Sequence, residues 1–214
     1  MASERRNRKK ELLLLCAQRL MLRQGYWATT IESICAATKL SKGVFFHYFD
    51  SKKDLGSQVL QMFFESMNER LRQSLSKPMD DPLERLEQML DTMAEILASG
   101  KGPRGCLIAA FVVDTAESEP ALRRRCLKYF RAWAEALQAP LDEAIHRYCP
   151  NAGLDGRQLS YHCISVIEGS LLLARVQNAS AVVTDNTSLL SQHLRLLLGQ
   201  PPRNQEGSRP QSRP

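Results

Sequence analysis

Asp155, Ser160 and His162 carry the side-chain types of a hydrolytic triad. Nucleophilic catalysis needs the serine hydroxyl within hydrogen-bond reach of the imidazole. Ser160 and His162 stand two apart in a segment that reads as helix, and such neighbours point to different sides. No nucleophile elbow and no phosphate-binding loop accompanies them. The expectation is a protein that is not an enzyme and takes no cofactor. Six cysteines (Cys16, Cys35, Cys106, Cys126, Cys149, Cys163) are scattered without a CxxC pair or a Cys/His metal spacing, so no metal site is expected. Buried free thiols in a reducing cytoplasm are the simpler reading.

One cysteine has a more pointed setting. In GPRGCLIAAF, Cys106 opens a helical stretch after two glycines and beside Arg104. A helix N-terminus and a nearby cation both stabilise a thiolate and raise its reactivity. A structural, unreactive thiol is the other reading. Cys126 and Cys163 are partners for it only if the fold brings them close.

The second chemistry is anion binding. The stretch LSKGVFFHYFDSKKDL, residues 40–55, sets Phe45, Phe46, His47, Tyr48 and Phe49 among Lys42, Lys52 and Lys53. Net charge is +6, and residues 1–60 hold eleven Lys/Arg against five Asp/Glu, while the remainder is balanced. A basic first quarter fits a polyanion, although a solvated basic end has the same charge.

The elements that must position these residues are helical. Of the 214 residues, 43% are hydrophobic and 24% charged, and Leu, Ala, Arg, Glu and Gln outweigh β-branched runs, which predicts an all-α fold. A first helix is expected over 7–24, ended by Gly25. Thr29, with Glu32 three residues on, reads as a capping box opening a second helix to Thr38. Ser41 caps a third over 42–48, and Asp50 or Ser51 a fourth over 52–74. Further helices are expected over 83–98, 106–116, from Pro120 with an interruption or kink at Pro140, over 156–177 and over 187–198. No apolar run approaches the roughly 18 residues of a membrane span, and the N-terminus lacks the h-region of a signal peptide. Residues 200–214 are polar and rich in Pro and Arg, and read as a disordered tail.

Two short helices joined by a tight turn after a longer one make a helix-turn-helix. Its second short helix enters the DNA major groove. Gly43 lets the backbone approach DNA. Phe45 and Phe49 pack inward, His47 and Tyr48 reach outward, and Lys52 opens the next helix, where the dipole favours a phosphate.

The run from Gly25 through Thr29, Thr30, Ile31, Ile34, Leu40, Ser41, Lys42, Gly43 to Phe49, Ser51, Lys52 and Leu55 resembles the DNA-binding domain of TetR/AcrR-family transcriptional regulators. The resemblance implies DNA contacts at Thr30, Ser41, Lys42, His47, Tyr48 and Lys52. It departs at Phe46, where the family often has a tyrosine whose hydroxyl touches a phosphate. It also implies a DNA-binding domain over 1–55 and a ligand-binding and dimerisation domain over 56–199. The implied pocket candidates are Phe63, Met67, Met89, Met93, Cys106, Phe111, Phe130 and Trp133, each of which a plain helical core would equally use. YHCISVIEGSLLLARV and SLLSQHLRLLLG resemble the family's paired dimer helices, which places Cys163, Val166, Ser170, Leu173, Leu190, Leu194 and Leu197 at a homodimer interface. GCL resembles a subgroup some of whose members sense oxidants or electrophiles through this cysteine, with Ala109 and Ala110 where that subgroup often has Asn.

The function so implied is a ligand-responsive repressor. It binds a pseudo-palindromic operator in double-stranded DNA as a cytoplasmic homodimer, and a small-molecule effector or modification of Cys106 releases it. An activator, a regulator without a ligand and a non-specific DNA binder remain open on sequence alone.

Overall fold

The computed structural model describes residues 2–76, 78–98 and 105–201, with side chains from Asn7 onward. Arg104 and most of the C-terminal tail lie outside the described residues. Those described form α1 (Ala2–Gln24), α2 (Ile31–Thr38), α3 (Lys42–Tyr48), α4 (Lys52–Ser74), α5 (Pro82–Ala98), α6 (Leu107–Thr115), α7 (Pro120–Tyr148), α8 (Gly156–Gln177) and α9 (Ala181–Leu197), with no strand among them.

The caps explain the short helices. Thr30, not Thr29, caps α2: its hydroxyl accepts the Ser33 N–H at 3.0 Å, and Ser33 Oγ accepts the Thr30 N–H at 3.1 Å. The capping box therefore closes on Ser33 rather than Glu32. Thr29 is buried and donates its hydroxyl to the Gly25 carbonyl at 2.8 Å. Lys39 ends α2 in the left-handed region. Ser41 Oγ accepts from Val44 N–H to open α3, and Ser51 Oγ accepts from Asp54 N–H to open α4.

Leu13, Ala17 and Met21 of α1, Ile34 of α2, Phe45 and Phe49 at α3, and Leu55 of α4 are buried together and tie the N-terminal unit. Burial of each such Leu, Ile or Phe contributes about 1.5–3 kcal/mol. The longer α4 runs on against α5 and α7, so one helix belongs to both halves. In the second half α5, α7, α8 and α9 pack around Leu86, Leu90, Trp133, Leu137, Ile167 and Leu194. Glu87 of α5 accepts from Nε and Nη2 of Arg195 of α9 at 2.6 and 2.8 Å, a largely buried bidentate pair.

Two expectations change here. Pro140 lies buried inside α7, which continues from Pro120 to Tyr148. The missing amide removes one helical bond, and packing against α5, α6 and α8 offsets it. By length and composition α8 would suffice to cross a membrane. Its buried face is packed between α7 and α9, and its remaining apolar residues form an outward stripe.

Candidate nucleic-acid interface and its connection to the second half

The exposed end of α3 collects the expected contact residues. Ser41, Lys42, Gly43, Phe46 and His47 face solvent, and Tyr48 is half-buried. Phe45 and Phe49 are buried beneath them with ring centroids 5.4 Å apart, and the Lys10 ammonium lies 5.9 Å from the Phe49 ring centroid. Phe46 stands edge-on to Phe45 at 5.3 Å and is 53% exposed. A seven-residue helix has little stability of its own, so this ring floor is what holds its orientation. A Cβ on Gly43 would meet only Ser41 Oγ, at 3.7 Å. Among the described residues no packing demands a glycine there.

Lys42 and Lys52 differ. The Lys42 ammonium is exposed and pairs with Glu32 of α2 at 2.5 Å. Glu32 also takes a hydrogen bond from Thr30, and its carboxyl is held below the usual range, first by the Lys42 hydrogen bond. Lys52 is turned inward. Its ammonium donates to the Tyr26 carbonyl at 3.0 Å and lies 4.3 Å from the Tyr26 and 5.1 Å from the Trp27 ring centroid. Burial pulls its pKa down. The turn after α1 thus holds the Lys52 ammonium at this end of α4. Lys53 pairs with Glu119, before α7, at 2.8 Å.

That turn is the joint between the halves. Tyr26 N–H donates to Asp114 Oδ2 at 2.5 Å, and the Trp27 indole N–H donates to the Asp114 carbonyl at 2.7 Å. The Tyr26 ring packs on Phe111 at 5.3 Å. Gly25 makes the approach possible: its φ is +89°, and a Cβ there would lie 2.6 Å from Asp114 Oδ2. Sequence reading missed Tyr26, Trp27 and Asp114, because 87 or more residues separate the partners. The left-handed Gly25 was the one local hint of a close approach.

Two family models match this chain: "Bacterial regulatory proteins, tetR family" over residues 13–59 and "Transcriptional regulator LmrA/YxaF-like, C-terminal domain" over 82–186. The chain belongs to the TetR family of transcriptional regulators. Among relatives, the HTH-type transcriptional repressor DhaR of a Mycobacterium species is 27% identical over 74% of this chain and 78% of its own length. The HTH-type transcriptional regulator LmrA of Bacillus subtilis is 23% identical over 77% and 85%. A TetR regulator from Chloroflexus aurantiacus superposes with a TM-score of 0.78 at 24% identity, covering 89% of this chain and 96% of its own. The reduced form of Escherichia coli NemR does so at 0.71 and 18% identity, over 85% and 94%. The chain is accordingly a DNA-binding regulator and not an enzyme.

Within this TetR-family second half, the expected pocket residues divide. Met67, Met89, Met93, Phe111 and Trp133 are buried, and Phe63 and Phe130 are half-buried. Phe130 meets Trp133 edge-on at 5.8 Å, and the Trp133 N–H is buried without a hydrogen-bond partner among the described residues. Cys106 is elsewhere, at the head of α6, on the floor of a crevice of about 510 Å³ between α1, α6 and α8. Its thiol is pushed well up, first by burial and then by the carboxylate of Glu168. The expected activation is therefore reversed: the apolar surroundings outweigh the helix N-terminus. Cys126 and Cys163 are buried too, and burial pushes them up to about 11 and about 12.

The dimer candidates also divide. Cys163, Ser170, Leu190 and Leu194 face the protomer's own core. Ser170 donates to the Val166 carbonyl at 2.6 Å and accepts from Asn186 at 3.0 Å. Leu173 and Leu197 are exposed and Val166 is half-buried. Val176, Leu189 and Leu196 are exposed too, the first 78% and the last 71%. Val166, Leu189 and Leu196 line a hollow of about 410 Å³ with His162 and His193.

Proposed function

We propose that the chain is a repressor that binds a pseudo-palindromic operator as a homodimer and releases it when a small-molecule effector binds. The observation that carries this reading is the outward face of α3, where Ser41, Lys42, Gly43 and His47 stand on a rigid ring floor. Residues 1–55 serve DNA binding and 56–199 effector binding and dimerisation, with α4 common to both. Lys42 and Thr30 take phosphates, and His47 and Phe46 reach base edges. Repression is supported by the relative named a repressor.

Dimerisation is supported by the stripe Val166, Leu173, Val176, Leu189, Leu196 and Leu197. Exposed apolar side chains gathered on two packed helices favour a cover. The exposed Gly169 has nothing within 4 Å of where a Cβ would sit, so a second helix can come close. A two-fold pairing of α8 and α9 would present two copies of α3 to successive half-sites. Release by an effector, rather than by modification of Cys106, is supported by the depth and raised pKa of that thiol.

The test is affinity for DNA upstream of the chain's own gene against scrambled DNA at one salt concentration, with selection from random DNA beside it. A specific excess that Lys42→Ala and His47→Ala reduce supports the reading. Equal affinity for both DNAs, with no palindrome enriched from the random pool, overturns it.

A further inference from the structure

The crevice between the two halves holds a carboxyl that the DNA-binding reading does not use. Its walls are apolar: Met21 and Leu22 from α1, Ala109 and Ala110 from α6, Leu171 from α8. Glu168 of α8, half-buried, completes the lining. Among the described residues the hydrogen-bond partner of this carboxyl is the Cys106 thiol, and burial pushes its pKa up to about 7. Two of the charged groups at the rim make contacts of their own. Arg175 of α8 donates to the Arg23 carbonyl at 3.0 Å, which spends its guanidinium on the C-terminal end of α1. The Asp114 carboxylate accepts from the Tyr26 N–H. Arg23 is exposed. Among the described residues no ion pair reaches this carboxyl. Its charged form is costly among apolar walls, and a cation brought beside it would relieve that cost.

We propose that this crevice is the effector site and that it takes a hydrophobic organic cation, an ammonium whose charge meets Glu168 and whose aliphatic or aryl body fills the apolar walls. The proposal rests on the effector-released repressor reading. Its volume of about 510 Å³ is in the range of small-molecule pockets. The location supplies the coupling. One wall is the end of α1, directly before the Gly25–Trp27 turn, and another is α6, which grips that turn through Asp114. A ligand between them biases the joint that sets α1, and with it α3, against the second half. Binding energy reaches the DNA only as a difference in affinity for the two arrangements of this joint.

The experiment uses the full chain and titration calorimetry without DNA, near neutral pH. Three tails, phenylbutyl, octyl and naphthylmethyl, are each offered as the primary ammonium, the alcohol and the carboxylate. The expected result is that at least one ammonium binds about tenfold or more tightly than its alcohol. Glu168→Gln should abolish that preference while still binding the alcohol. Ala110→Leu, which fills the crevice, should weaken ammonium and alcohol alike, and thermal melts check that both variants fold. No preference for any ammonium, a preference that survives Glu168→Gln, or tightest binding of a carboxylate each overturns the proposal. Operator affinity is then measured with and without saturating ammonium. A fall in the wild type and none in Glu168→Gln supports the effector role, and an unchanged affinity with the crevice occupied overturns it. A chain that binds the ammonium but no operator at all sinks the repressor reading and leaves the cation site standing.

Discussion

Asp114 and Tyr26, 88 positions apart, are joined by a 2.5 Å hydrogen bond from the Tyr26 amide to the Asp114 carboxylate. Through it the last turn of α6 grips the first residues after α1. A hydrogen bond to a charged acceptor contributes about 1.5–3 kcal/mol, roughly twice a neutral one. Asp114→Ala should therefore lower thermal stability by several degrees, since each kcal/mol is worth about 2–4 °C at this chain length. Gly25→Ala should do the same by another route, because its φ of +89° and the 2.6 Å approach to Asp114 both exclude a methyl group. Melting curves of the two variants and their double mutant test the pairing: non-additive losses are expected, and simple addition would show that the two sites act independently.

Lys42 and Lys52 should separate in a salt titration of DNA binding. Lys42→Ala removes an exposed cation from the face of α3, and the slope of log affinity against log salt should fall by about one. Lys52→Met should leave that slope unchanged and reduce thermal stability, because its ammonium is spent on the Tyr26 carbonyl and ring. A slope that drops for Lys52→Met would return this lysine to the phosphate contacts.

Glu168 gives stability a pH dependence with a definite sign. Its native pKa is about 7, above the ordinary 4.5. Below both values the group is neutral in both states and costs nothing. As pH rises from about 4.5 to 7 the unfolded chain releases the proton while the native chain retains it, so stability is lost across that window and stays lost above it. The difference amounts to up to about 3 kcal/mol. Glu168→Gln should remove the slope and stabilise the chain at alkaline pH, as read by denaturant midpoints at a series of pH values.

Leu173→Glu together with Leu196→Glu should yield monomers in sedimentation without a loss of helical signal, because both side chains point outward. Leu194→Ala is the contrast. That leucine is fully buried, and its truncation should cost about 2–5 kcal/mol of folding stability.

Local chemistry made the first half readable. Ser41 and Ser51 announce α3 and α4 by their caps, and the ring spacing separates Phe45 and Phe49 from His47. The error at Thr29 arose because two adjacent threonines offer the same hydroxyl, and only the buried position of one decides between them. In α8 and α9 apolar residues occur on both faces, so periodicity cannot say which face meets the protomer's own core. Ser170 looked like a residue for close helix packing between subunits, whereas its hydroxyl satisfies a neighbour inside one. Glu168 and Asp114 escaped notice for another reason: each is an ordinary acid in an ordinary helix until a distant segment is laid on it.

The carboxylate of Glu32 sits against Lys42 and Thr30, two of the groups assigned to the DNA backbone. If those groups meet phosphates as proposed, any DNA must first displace this carboxylate. The exchange would lower affinity for every sequence alike, and base-edge contacts from His47 and Phe46 would offset it only at an operator.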